Sequence, residues 1–432
     1  MNPIKYNDKP LWAPQALVFQ LFAVAILLGV TAFFMQKFDS TKLLIVSFGL
    51  FVIFFFNDIF RSATKASGFY CILMLIAFVF HSSMNQIESP FNELIRWLSP
   101  IFLLTVARYR KIEYSSLAIA AATLTVVLIG LDLFEGLTHT HPIEYKDDII
   151  EGFANAGELD DDVFRAFGLL GHPLDNANIL SLILAFVYAS GLRKWIKWGI
   201  IALGFLALIA VNSRAAMVVW LLIFVYAIFL RGRKWYVLVV SAVVLLMAIP
   251  YFVEYVGETN ALGRLDFDFK DDSTIARIES LFIFGTSYFN SDEIIMGGNL
   301  LYMPGTDLLL ENGLLLNMGY WGWIIGPLKF FLEIFICYSM LRSLYKEGDK
   351  LVIMAGSWGV AMFNNNAFNP TLLCYFAFMY VAFNGINAKI AGTFLSVKDS
   401  EEEEDDESAE EETEDDEDRV REDDSQRSIA TI

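Results

Sequence analysis

Apolar runs of about 18 to 22 residues recur along the whole chain, each long enough to cross a hydrocarbon core roughly 30 Å thick. No other feature restricts the fold so hard. With 56% hydrophobic residues, 15% aromatic residues and 39 Phe, a soluble globular composition is excluded. The chain reads as an all-α polytopic membrane protein.

Hydropathy predicts about twelve transmembrane helices. They fall near 14–36, 41–60, 67–82, 93–107, 115–135, 173–191, 195–211, 215–230, 235–253, 319–341, 350–363 and 370–388. Every second connection is basic, as at Arg61 and Lys65, at Arg193, Lys194 and Lys197, and at Arg231, Arg233 and Lys234; the short intervening ones carry almost no Lys or Arg. The positive-inside rule then puts both termini in the cytoplasm. The first apolar run, Leu17 to Phe34, is expected to be a span rather than a cleaved signal.

The net charge of −19 is concentrated in one tail, the Glu/Asp run from Asp399 to Asp424. Such a run cannot bury enough apolar area to offset its ordering entropy, so 398–432 is expected to be a disordered acidic cytoplasmic tail. Residues 1–397 form the transmembrane domain. No basic aromatic patch suggests nucleic-acid binding. Cys71, Cys337 and Cys374 lie inside apolar runs without metal spacing and read as small hydrophobes. His139 and His141 alone fall short of a metal site, so no metal and no cofactor are expected. His81 is expected at a membrane interface.

Two long outer loops, about 136–172 and 254–305, share one side of the membrane, and chemistry is expected there. The first ends in Arg165-Ala-Phe-Gly-Leu-Leu-Gly-His-Pro-Leu-Asp-Asn, which runs straight into a span. Polarity at such a mouth is costly and usually functional. Arg214 follows a very short turn, Asn212-Ser213, and has no acidic neighbour in sequence. Arg264 and Arg277 lie in the second loop, Arg277 on a predicted amphipathic helix over Thr274 to Phe284; Arg264 has Asp266 and Asp268 as alternative partners. Four guanidiniums on one side suit a phosphate-rich ligand, because the planar fork binds phosphate oxygens in pairs. His172 is placed to cap or tune the following helix. Asp307 and Glu311 are four apart, share a helix face among Leu residues, and are candidate general bases.

Taken in order, these pieces resemble the O-antigen polymerase and ligase family. Arg165-Ala-Phe-Gly168 with Gly171-His-Pro173 is similar to its first motif, and Asn212-Ser-Arg-Ala-Ala216 to its second. Thr274-Ile-Ala-Arg277 resembles the loop arginine, and Glu311-Asn-Gly-Leu-Leu315 with Gly322-Trp-Ile-Ile-Gly326 the last motif. Glu311 stands where ligases carry a histidine and Asp175 stands near an Asn slot, which tips the resemblance toward a polymerase. The resemblance implies a C-type glycosyltransferase-like fold in the bacterial inner membrane, acting on undecaprenyl-pyrophosphate-linked glycans at the periplasmic face without metal. Its expected sites are Arg165, Arg214, Arg277 and Arg264 for pyrophosphate, and His172, Asn176 and Asn312 for substrate. Glu311, Asp307 or Asp175 would be the base. Membrane lipid, and a chain-length regulator protein, are the other partners considered. A ligase with another acceptor, or a lipid-linked oligosaccharide flippase, are the alternatives.

Overall fold

The computed structural model describes residues 11–83, 90–109, 115–145, 164–227, 312–341, 345–362 and 370–384. All regular structure among these residues is helical. In chain order the helices are α1 (Ala13–Leu28), α2 (Ala32–Phe38), α3 (Ser40–Ser62), α4 (Lys65–Ser83), α5 (Pro90–Tyr109), α6 (Ser115–Thr138), α7 (Pro173–Ala189), α8 (Lys194–Val211) and α9 (Arg214–Val225). After these come α10 (Gly313–Trp321), α11 (Ile325–Leu341), α12 (Glu347–Met354) and α13 (Thr371–Asn384). A 3-10 turn, Gly168–Leu170, precedes α7, and a π-helical stretch, Ala355–Gly359, extends α12.

Four helices, α3, α4, α6 and α8, are long and apolar enough to cross a membrane; counting the bent pair α1–α2 as one span makes five. Their outward faces carry large apolar side chains. Ile53 on α3 is 74% exposed and Val126 on α6 is 70% exposed. In water such faces would be an aggregation hazard, whereas in lipid they are the solvent-facing side. The architecture fits a membrane protein.

The inner layer is different. In α7, 14 of 17 residues are buried, so this helix is covered on every side and its apolar character is not confined to one stripe. Phe186 on α7 packs against Phe376 and Phe383 on α13, with ring centroids 5.5 and 5.7 Å apart. Gly356, in the π-helical stretch, lets that backbone close on α7: a Cβ there would meet Ala185 Cβ at 2.8 Å. On the other flank α1 and α3 join through Phe rings, Phe22 lying 4.2 Å from Phe51.

Several predicted spans run longer or straighter than the chain does. The first, 14–36, is broken: α1 and α2 meet at 99°. Thr31 stitches that corner, donating to Leu27 O at 2.7 Å and pairing with Tyr375 on α13 at 2.8 Å. The span expected at 319–341 is also two helices, α10 and α11, separated at Gly322 (φ 89°), a backbone conformation that side chains disfavour. His81 lies at the end of α4 and is turned into the protein. It is 1% exposed, its ring 5.3 Å from that of Trp321 on α10. In α5, Pro100 has no N–H to offer Arg96 O, and Cys374 Sγ reaches that carbonyl from α13 at 3.7 Å.

Candidate functional site

The 164–172 segment sits on the C-terminal end of α6 and is tied down through its backbone. Phe167 N and Gly168 N donate to Glu135 Oε2 at 2.7 and 3.3 Å. The Tyr145 hydroxyl donates to Gly168 O. Ala166 N donates to Ala210 O at 3.1 Å, which fixes the segment against the end of α8. Gly168 and Gly171 both have positive φ, 56° and 70°. At Gly171 a Cβ would press within 2.9 Å of the Tyr145 ring. Burial, reinforced by Glu135, raises the Tyr145 phenol well above its ordinary value, so this hydroxyl stays a neutral donor. Phe164 is stacked between the segment's neighbours, with His139 at 5.0 Å and His141 at 4.8 Å.

His172 is the N-cap of α7. Leu174 N and Asp175 N donate to its Nδ1 at 3.1 and 3.4 Å, and Pro173 occupies the first helical position. An acceptor at Nδ1 leaves the ring proton on Nε2. Burial, with a smaller contribution from the Arg165 charge, lowers the imidazole to about 3. The ring is therefore neutral at physiological pH, with its N–H at Nε2.

Arg165 is 5% exposed, a rare position for a guanidinium. Arg214 is partly buried. Asn212 adopts the left-handed conformation (φ 54°), which reverses the chain within two residues. Ser213 then caps α9, accepting from Ala216 N at 3.4 Å, and Arg214 becomes the first residue of that helix. A cation in a helix's first turn is opposed by the helix dipole, so helix stability does not explain it.

The structure thus brings five expected residues, Arg165, His172, Asp175, Asn176 and Arg214, to one end of α6–α9. Asn176 is turned inward, giving its Nδ2 to Asp132 Oδ1 at 2.6 Å. Asn312 caps α10, accepting from Leu314 N at 2.9 Å and Leu315 N at 3.3 Å. Both amides are committed to structure on these atoms. Glu311, Asp307, Arg264 and Arg277 lie outside the described residues, as do 146–163 of the first long loop and all of the second.

Two groups of charged residues escaped the sequence reading. Asp132 and Glu135 lie on α6 and are 0% exposed. Lys329, on α11, is 0% exposed; it donates to Asn317 Oδ1 at 2.9 Å, pairs with Glu333 Oε1 at 3.0 Å and lies 3.9 Å from the Trp97 ring centre. Glu333 also accepts from Tyr70 at 2.7 Å. The available signal was the same in both cases: ionisable residues three or four apart inside an apolar run.

Compared with known proteins, the chain matches no family model and no curated sequence.

Proposed function

We propose that the chain is a membrane glycosyltransferase that polymerises undecaprenyl-pyrophosphate-linked oligosaccharide repeat units into O-antigen, capsule or exopolysaccharide. In this reading it has about twelve spans, a C-type glycosyltransferase-like plan, cytoplasmic termini and an active side facing the periplasm of a bacterial inner membrane. The observation that carries the reading is the convergence of a nearly buried Arg165 and the helix-initiating Arg214 at one end of α6–α9, beside the neutral N–H of His172. Fixed cations, helix amides and a neutral donor in one place form the chemistry that a diphosphate needs.

The reaction breaks the bond between the sugar C1 and a pyrophosphate oxygen. A hydroxyl of a second lipid-linked unit attacks C1 from the opposite face, so the new glycosidic bond inverts that centre. Arg165, Arg214 and Arg277 offset the charge developing on the leaving pyrophosphate, which is stabilisation of the transition state. The hydroxyl proton passes to a carboxylate, Glu311, with Asp307 and Asp175 as alternatives. Arg214→Ala should abolish chain growth while membrane insertion is kept. Full-length polymer from that variant, read on a gel of cell-surface glycan, would overturn the assignment.

A transporter reading has one observation in its favour: Glu333 is the central residue of α11, where transporters place coupling residues. Its carboxylate and the Lys329 ammonium already hold one another, with Tyr70 and Asn317 supplying further bonds. Such satisfaction points to a brace between helices. Purified protein in detergent with lipid-linked repeat units separates the readings: an enzyme lengthens chains with no sealed compartment, and a transporter leaves them unchanged.

A further inference from the structure

Beneath the 164–172 segment, α6 brings two carboxyls to one face, Asp132 and Glu135, and Asn176 joins them from α7; all three are 0% exposed. Gly168 is their shared neighbour. Its N–H donates to Glu135 Oε2 at 3.3 Å, and a Cβ built on it would stand 2.6 Å from both Asp132 Oδ1 and Asn176 Nδ2.

Donors and acceptors do not balance here. Glu135 Oε2 is served by Phe167 N and Gly168 N, with His141 Nδ1 at 3.2 Å, and Asp132 Oδ1 by Asn176. Asp132 Oδ2, Glu135 Oε1 and Asn176 Oδ1 are buried oxygens with no donor among the described residues. Turning the Asn176 amide over exchanges which of its atoms is stranded and leaves the shortage of donors as it was. Interiors rarely strand polar atoms, and two buried carboxylates within reach of one another repel unless a positive charge lies between them. Everything missing from this place is a donor or a cation.

We propose that Asp132, Glu135 and Asn176 hold one monovalent positive charge, either Na⁺ ligated by their oxygens or a proton shared by the carboxyls, which locks the 164–172 segment onto α6. Among the described residues no group of three or more His, Cys, Asp or Glu gathers as a metal site, and a divalent ion needs a fuller oxygen shell. Among the described residues, the titratable and charged groups near the pair include His141 and Tyr145 after α6, Arg165 and His172 before α7, and Asp175 on α7. The inference does not depend on the glycosyltransferase reading.

The test is the apparent melting temperature of the full-length protein in mild detergent. Choline chloride is replaced by NaCl at constant ionic strength, near pH 6 and near pH 9, for wild type and Asp132→Asn. If the charge is Na⁺, wild type gains roughly 5 °C as sodium rises through saturation and Asp132→Asn gains none. If it is a proton, sodium has no effect, wild type loses stability as pH rises, and Asp132→Asn flattens that loss. In choline at high pH, Asp132→Asn should melt above wild type, the opposite of what a purely structural aspartate gives. Should Asp132→Asn fail to fold, Asn176→Asp replaces it, with a steeper dependence on the same cation expected. Equal responses of wild type and variant to both sodium and pH would overturn the proposal.

Discussion

At the scale of single residues, an imidazole takes the place usually held by Ser, Thr, Asp or Asn at a helix start. That choice has a pH signature. The His172 pKa is lowered to about 3, below the ordinary 6.5, so the unfolded chain binds a proton that the folded one refuses. Its contribution to stability is complete above about pH 6.5 and is lost as pH falls toward about 3, with a slope no steeper than about 1.4 kcal/mol per pH unit. His172→Asn, which keeps a capping oxygen, should flatten that acid limb in a melting curve and leave stability near pH 8 within about 1 kcal/mol. Gly168 gives a second prediction. Its φ of 56° and the 2.6 Å approach to Asp132 Oδ1 leave no room for a methyl group. Gly168→Ala should cost about 2 kcal/mol or more, seen as a lower melting temperature. Arg165, His172 and Arg214 were legible in the sequence because they flank apolar runs, where polarity stands out. Asp132 and Glu135 were not, because hydropathy averages two acids into the run that surrounds them, and only their burial shows that they form one place.

At the scale of elements, most helices among the described residues begin and end within a few residues of the apolar runs, since the length of an apolar run sets the length of a helix. Four or five of them are long and apolar enough to span. Their directions were not legible in the sequence. Hydropathy carries no information about angle, so the 99° corner between α1 and α2 and the break between α10 and α11 read as continuous apolar sequence. Glycines mark the two interruptions, Gly29 and Gly322, and Gly326 then lets α11 close on α10, where a Cβ would come 2.1 Å from Asn317 O. The turn between α8 and α9 is the element on which the proposed site depends. Asn212 supplies the left-handed residue that points Arg214 to the same end as Arg165. Asn212→Gly keeps that conformation and should retain polymer formation, whereas Asn212→Val should cost roughly 1–2 kcal/mol and lower polymer yield. Polymer gels together with membrane levels of each variant check this; a silent valine would show that the turn does not set the arginine.

At the scale of the whole molecule, the question is what holds α10 and α11 to the rest. Tyr70 of α4, Trp97 of α5, Asn317 of α10 and the Lys329–Glu333 pair of α11 meet in one buried network that crosses four helices. Lipid gives helices little hydrophobic reason to associate, so packing and interhelical hydrogen bonds do more of that work than in water. A buried pair of this kind stabilises little against an apolar replacement, yet removing one partner strands the other charge. Lys329→Met should therefore destabilise by about 3–5 kcal/mol. The double variant Lys329→Met, Glu333→Leu should recover most of that loss, because no charge is then left alone. Melting temperatures of the two singles and the double in detergent form the cycle. A brace predicts that the rescued double variant still lengthens glycan chains. A coupling pair predicts a stable double variant with no function, and that result would move the proposed function from a transferase at the helix ends to a transporter working through α11.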